Sequence, residues 1–304
     1  MSSNSGKILS IDGGGVRGFF SAIIIDLLNQ QTGFLKHIDV FAGNSIGSLL
    51  ALSLASGRGS DEINALCAKL GAAAFTPFNG EDDKSHPRYQ TDLFQQALTD
   101  HLFHDYKLKD LKKKVIVPAF NICSNEGWRH EVFHNFSSSI HLDTKLVDVA
   151  LRSMAAPLYF PSHQGFVDGG VFANNPSLLA YSCVKEHLGK DKSLSLLSIG
   201  TGIVKTSLPH QCDWGVNQWL SSDNRPEYPF FSLVTEGSME YTHSLCKTLI
   251  GEKYHRVNAD LKEFIAIDEI NELPHLMEMG LNYPKLYQSN WKNLLLWVEK
   301  EILS

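Results

Sequence analysis

Cysteine is scarce in this chain and unpatterned. Cys67, Cys123, Cys183, Cys212 and Cys246 are odd in number, widely spaced and form no CxxC pair, which argues against a disulfide framework and a zinc knuckle and fits a reducing compartment. Long apolar runs are missing too: nothing approaches the roughly 18 uninterrupted apolar residues that crossing a bilayer requires. The opening MSSNSGKILS has no basic stretch followed by an apolar one, the pattern of a cleaved signal peptide. The expectation is a cytoplasmic protein whose membrane contact, if it works on one, is peripheral. Positive charge is not in excess. A net charge of -6 gives no reason to expect a nucleic-acid partner, which demands a basic face. The one basic run, Lys107 to Lys114 (KLKDLKKK), reads as a solvated face. Repeats, low-complexity tracts and linkers are absent as well, so the 304 residues read as one domain. The first six residues read as a flexible start, and residues 203–304 as a C-terminal extension packed on the same domain. A chain this long buries roughly 75% of its unfolded surface and needs no staples.

What is present is a series of strand, glycine turn and helix. Lys7 to Asp12 is a short apolar strand ending in glycines, and Gly18 to Gln31 carries helical spacing. Asp39 to Ala42 is a second strand, followed at once by a helix from about Ser45 to Ala55. Such units imply an α/β fold with a largely parallel sheet. Val115 to Cys123 and Trp128 to Phe136 read as two strands joined by the turn Ser124-Asn125-Glu126-Gly127. Further helices are expected over Leu146–Ala155, Pro176–His187, Phe230–Leu249 and Pro284–Leu303, with short strands at Gly165–Asp168 and Leu194–Ile199.

Four motifs carry chemistry. Gly43-Asn44-Ser45-Ile46-Gly47 is a G-x-S-x-G between a strand and a helix, where a sharp turn lifts a serine oxygen clear of the sheet. Asp12-Gly13-Gly14-Gly15-Val16-Arg17-Gly18 matches G-x-G-x-x-G through Gly13, Gly15 and Gly18, as a dinucleotide loop would. Asp39 stands about 20 residues on, where a ribose-binding acid is expected. It opens its strand, though, and a ribose ligand belongs at the carboxyl end, where Asn44 and Ser45 are. With a serine elbow on the neighbouring strand, the glycines read better as N–H donors to an oxyanion. His130-Glu131-Val132-Phe133-His134 spells H-E-x-x-H, which binds zinc only on a helix. On the strand expected here the two histidines would be about 13 Å apart at roughly 3.3 Å per residue, so a structural role is expected. Asp168-Gly169-Gly170 closes a short strand, where ligand-binding residues of α/β sheets concentrate.

Together and in this order, DGGGVRG, GNSIG and DGG resemble the three blocks of the patatin-like phospholipases. Arg152 to Pro161 (RSMAAPLYFP), Asn174-Asn175-Pro176, Leu197 to Gly202 (LSIGTG), Trp214-Gly215 with Trp219, and Tyr254 to Asn258 resemble further family elements, so the likeness runs from about Lys7 to Leu261. It implies a three-layer α/β/α sandwich with a mostly parallel central sheet and an enzyme that hydrolyses acyl esters of phospholipids or other glycerolipids without a cofactor or metal. By the same resemblance Ser45 is the nucleophile and Asp168 the base, passing through an acyl-enzyme. Gly13, Gly14, Gly15 and Arg17 then belong to the oxyanion loop. The elbow departs from the common pattern at Ile46, which is bulky, and at Ser48, where a glycine is frequent. Two rivals stay open. In an ordinary α/β-hydrolase a histidine follows the aspartate, and His187, His210, His243, His255 and His275 all do. In a nucleotide-binding module Ser45 is incidental. Finally, Gly202 to Pro229 reads as irregular, and the cluster of Trp214, Trp219, Tyr228, Phe230 and Phe231 is a candidate for lipid access, since Trp and Tyr suit a membrane–water boundary; the alternative is that Trp214 and Trp219 pack the segment onto the domain.

Overall fold

A computed structural model describes residues 5–78, 85–205, 207–208, 210–211 and 213–304. In chain order the elements are β1 (Ser5–Ile11), α1 (Gly18–Thr32), β2 (Val40–Gly43), α2 (Ile46–Ser56), α3 (Ser60–Ala74), α4 (Asp92–Leu98), β3 (Lys114–Asn121), β4 (Arg129–His134), α5 (Leu146–Met154), β5 (Phe166–Asp168), α6 (Gly170–Ala173), α7 (Ser177–Leu188), β6 (Ser193–Ile199), α8 (Val216–Trp219), α9 (Pro229–Ile250), β7 (Tyr254–Val257), α10 (Leu273–Leu286) and α11 (Gln288–Val298). The strands form one sheet in the order β4-β3-β2-β1-β6-β7, with β5 also paired to β3. From β3 across to β7 the pairings are parallel, while β4 and β5 run antiparallel to β3.

Side chains alternate across a strand, and both faces here are covered. Leu9, Ile11, Phe41, Val115, Val117 and Ile199 point into a core shared with α1, α2, α5, α10 and α11. Ile8, Val40, Ala42, Ile116, Leu194 and Leu196 point the other way, against Ala180 and Val184 of α7 and Cys246 of α9. Burial on both faces is why the central strands read as continuous apolar runs rather than alternating ones. The result is the three-layer α/β/α sandwich expected. Strand β1 starts at Ser5, so Ser5 and Gly6 belong to the sheet and not to a loose start; residues 1–4 lie outside the described residues.

One detail of register positions the chemistry. Strand β2 pairs with β3 only over Lys114 to Ile116 and then turns away at Gly43. Because β4 occupies the other edge of β3 from Ile116 to Asn121, the edge that β2 vacates is taken by β5, which sets Asp168 opposite Ala119. The strand that carries Asp168 therefore ends beside the turn that carries Ser45.

Candidate active site

From Val40 to Ala55 every residue is buried except Ser45. It sits at the head of α2 with φ 51° and ψ −126°, a left-handed conformation that costs a non-glycine residue of order 1–3 kcal/mol and clusters at functional sites. Crowding enforces the turn. A Cβ at Gly43 would lie 1.9 Å from the Gly47 carbonyl oxygen, and one at Gly47 would lie 2.3 Å from that of Ile11. The Ser45 N–H donates to Ser153 Oγ of α5 at 3.1 Å, and Ser48 Oγ donates to the Ser45 carbonyl at 2.6 Å. The G-x-S-x-G segment is thus a serine elbow at the carboxyl end of β2.

Asp168 is buried. Its Oδ1 accepts from the Gly170 N–H at 2.6 Å and from Asn44 Nδ2 at 3.0 Å, and the Ser45 side chain lies beside the carboxylate. Burial pushes the Asp168 carboxyl up to about 6; the Gly170 N–H, the Ser45 side chain and Asn44 pull it back without cancelling that rise. A hydroxyl held against a carboxylate more basic than usual is the arrangement a proton transfer from serine to aspartate needs.

In the glycine loop two carbonyls are held in place, which fixes where the following N–H groups point. Gly13 O accepts from Thr201 Oγ1 at 2.9 Å. Gly14 O accepts from the Arg17 N–H at 3.2 Å and from Arg17 Nε at 3.4 Å. In a trans peptide the C=O and the following N–H point opposite ways. Holding these two carbonyls therefore turns the N–H groups of Gly14 and Gly15 to the other side, and both residues line the cleft that Ser45 and Asp168 share. Among the described residues neither N–H has a partner. Gly13 differs from expectation: its N–H is spent on the Asn174 carbonyl at 3.0 Å, and it does not line the cleft. Arg17 is buried and lines the cleft; burial lowers its pKa, against the opposing pull of Glu236 on α9. Gly15 adopts φ +57°, and a Cβ there would meet the Ile267 carbonyl at 2.0 Å.

The cleft around Ser45 and Asp168 is lined mostly by apolar side chains, with Phe19, Leu49, Leu70, Phe75, Phe160 and Phe231 prominent; Arg17, Asn174 and Thr235 are its other polar members. Among the described residues no histidine lines it. His187 stacks against Phe136, His243 Nδ1 lies 3.2 Å from the Tyr254 hydroxyl, His255 packs on Trp297, and His275 lines a separate cavity by α10. Asp39 sits at the opposite end of the sheet, where its Oδ2 accepts from the Lys7 N–H at 2.9 Å. His130 and His134 lie on strand β4, as expected.

A family model described as patatin-like phospholipase matches residues 9–181. The chain belongs to that family. It is 31% identical over 288 residues to protein teg of Priestia megaterium, covering 86% of this chain and 90% of that one. It is 28% identical over 271 residues to a cGAMP-activated phospholipase of Pseudomonas aeruginosa, covering 83% and 77%, and 28% identical over 289 residues to patatin-like protein 2 of Arabidopsis thaliana, covering 77% and 70%. Membership places the chain among lipid-hydrolysing enzymes.

As a patatin-like phospholipase the chain has two unusual elbow residues, and both have a place. Ile46 lines the cleft and packs against Gly18, where a Cβ would meet its Cγ1 at 2.4 Å. Ser48 ties down the carbonyl of Ser45. Sequence reasoning missed the roles of Ser153, Thr201 and the Asn44–Asp168 bond. Asn44, Ser153 and Thr201 stood inside quoted motifs, but the motifs do not say what their side chains touch.

Proposed function

We propose that this patatin-like phospholipase hydrolyses fatty-acyl esters of phospholipids or other glycerolipids through Ser45 and Asp168. The observation that carries the reading is the Ser45 side chain set beside a buried Asp168 in a mostly apolar cleft that, among the described residues, no histidine lines. Ser45 Oγ attacks the ester carbonyl carbon while its proton passes to Asp168. The carbonyl oxygen becomes an oxyanion, received by the N–H groups of Gly14 and Gly15. Arg17 positions the Gly14 peptide and adds fixed charge. Collapse expels the glycerol oxygen, which takes the proton from Asp168 and leaves an acyl-Ser45 ester. A water then gives its proton to Asp168 and attacks that ester, and Ser45 recovers its proton as the fatty acid leaves. An ordinary aspartate near 3.9 is a weak base for an alcohol; one raised to about 6 by burial is better matched to neutral pH while still ionised there.

The lipid reaches the cleft, in this reading, from α9. Phe231 and Thr235 line the cleft, while Phe230, Leu233, Val234 and Tyr241 are exposed on the same helix. Spacings of three, four and seven place Phe230, Leu233, Val234 and Tyr241 on one stripe, an apolar surface contiguous with the cleft wall. The test is fatty-acid release from vesicles of phospholipid, galactolipid and neutral glyceride, with a fluorophosphonate as a covalent probe. Wild-type protein should release fatty acid and be labelled at Ser45, and Ser45→Ala should do neither while keeping its fold. Turnover by Ser45→Ala above a few per cent of wild type would remove Ser45 from the nucleophile's role.

A further inference from the structure

The H-E-x-x-H segment does not pair its own histidines, yet one of them has partners elsewhere. His134 on strand β4 faces α7, where Cys183 and His187 stand four residues apart on one helical face. One donor atom from each of the three lies within 4.8 Å of the others, and the two imidazole rings are 4.7 Å apart between centroids. Cys183 is buried and His134 and His187 half-buried. The cluster belongs to the core on the face of the sheet away from the α2 side that bears the cleft.

We propose that His134, Cys183 and His187 bind one transition-metal ion of the zinc(II) class, with water in the fourth position, clamping edge strand β4 to α7. Two imidazoles and a thiolate are the donor types such an ion takes. Tetrahedral bonds of about 2.0–2.3 Å set donors roughly 3.3–3.6 Å apart, so side-chain rotations of about an ångström close the site. The Glu186 carboxylate faces both His134 and Cys183 and helps offset a cation's charge. Each histidine has its Nδ1 engaged locally, His134 by the Phe136 N–H at 3.3 Å and His187 by Ser138 Oγ at 3.2 Å, which leaves Nε2 of each uncommitted. Ligation by His134 Nε2 puts the ring proton on Nδ1 and gives up the long Phe136 bond. Binding forms one metal–sulfur bond and breaks the S–H bond, so one proton leaves for each ion bound at neutral pH. Among the described residues strand β4 pairs with β3 alone, so a metal bond to α7 secures an edge.

Titration of the full chain, first stripped with a chelator, with cobalt(II) and then zinc(II) tests this. The expected result is one ion per chain, a thiolate-to-cobalt absorption band bleached by zinc, release of one proton and a raised melting temperature. Cys183→Ala should lose the band, and His187→Ala should weaken binding by about tenfold or more; Cys123→Ser, at an exposed thiol, should behave as wild type. Ester hydrolysis should be unchanged in all three. No stoichiometric binding, or a band that survives in Cys183→Ala, overturns the proposal. If Cys183→Ala fails to fold, a wild-type affinity in His187→Ala does the same.

Discussion

At the scale of single residues, Asp168 is placed where a carboxylate is least comfortable, and that discomfort has two measurable consequences. Its carboxyl titrates near 6 in the folded protein against 3.8 unfolded. Activity should therefore fall as pH drops through about 6, roughly tenfold per unit below it in kcat/KM, as the base is protonated; a flat profile down to pH 5 would contradict the role. Stability runs the other way. A carboxyl whose pKa is raised by folding binds its proton more readily in the native state, so the native state loses stability as pH rises from 3.8 to about 6. Above that window the full penalty of about 3 kcal/mol applies. Asp168→Asn should be nearly as inactive as Ser45→Ala, yet no less stable than wild type at pH 7 and less stable relative to it at pH 4, as thermal melts at the two values will show. Replacing His187, His210, His243, His255 or His275 singly should leave substantial turnover, and one that is as dead as Ser45→Ala would instead favour a triad. Thr201 gives a second residue-scale prediction. Thr201→Val removes the bond that holds the Gly13 carbonyl and should lower kcat by about tenfold to a hundredfold with KM little changed, since direct loss of an oxyanion donor costs about 10²–10³. Thr201→Ser, which keeps the hydroxyl, should recover most of the rate; failure to do so would make Thr201 a packing residue only. Ser45 and Asp168 were legible in the sequence because local glycines announce the turns they sit in. Thr201 was not, because its partner is 188 residues away and only the sheet brings the two together.

At the scale of elements, strong local signals were read well and long-range ones poorly. The helices at Gly18–Thr32 and Pro229–Ile250 and the elbow helix at Ile46–Ser56 sit within one or two residues of expectation, because apolar spacing and glycine turns mark them. Helices α3 and α4 and strand β7 went unread. The last expected helix, Pro284–Leu303, covers α11 and only the final residues of α10, which ends at Leu286; the rest of α10 went unread, and Pro284 lies inside it. The basic run at Lys107–Lys114 is spent locally: Lys107 and Lys109 reach Asp143, and Lys113 Nζ donates to the Ile38 carbonyl at 2.8 Å. The segment from Gly202 to Pro229 is irregular apart from α8; Thr206, Pro209 and Cys212 lie outside the described residues. Its end is clasped by Arg88, which pairs with Asp268 at 2.5 Å and Glu227 at 3.1 Å and lies over the Tyr159 and Tyr228 rings. Trp214 and Trp219 pack edge to face at 5.2 Å and are half-buried, so they hold the segment together at least as much as they present it. The access role is therefore best tested on α9. Phe230→Ser with Leu233→Ser should cut turnover on vesicles by about tenfold while sparing a short-chain soluble ester, since both side chains are already exposed and carry little packing. Trp219→Ala should lower both activities together with the melting temperature if it packs, and vesicle turnover alone if it touches lipid. Equal losses on the two substrates for the α9 pair would refute the docking face.

At the scale of the whole molecule, the site is where it is because β1 and β2 are neighbours at the centre of the sheet and both turn into helices at the same end. The glycine loop follows one and the elbow the other. Strand–turn–helix repetition made that α/β arrangement legible, whereas the strand order did not follow from it, since parallel pairings join segments far apart in sequence. Among the described residues no helix is long and apolar enough to cross a membrane. The glycine loop has its own anchor across the sheet. Asp12, which opens the loop, pairs with Arg256 of β7, two strands away in the order β1-β6-β7, at 2.6 Å through one nitrogen and 3.3 Å through the other. Arg256 also donates to Ser198 Oγ of β6 at 2.7 Å. Both charges are almost wholly buried. Burial is the larger influence on the Asp12 carboxyl and leaves it raised even with Arg256 beside it, so the pair holds geometry at a desolvation cost. Breaking it from one side strands a charge in the core, which costs about 3–5 kcal/mol, whereas removing both charges is often neutral. Arg256→Met alone should thus be severely destabilised in urea unfolding, and Asp12→Asn with Arg256→Met should regain most of the loss. The double variant should still lose turnover, because the cross-sheet side-chain anchor at the start of the loop is then gone and only its backbone and Thr201 bonds remain. Additive losses in the double variant would mean that the two residues act independently, and wild-type turnover in it would mean that the loop needs no anchor.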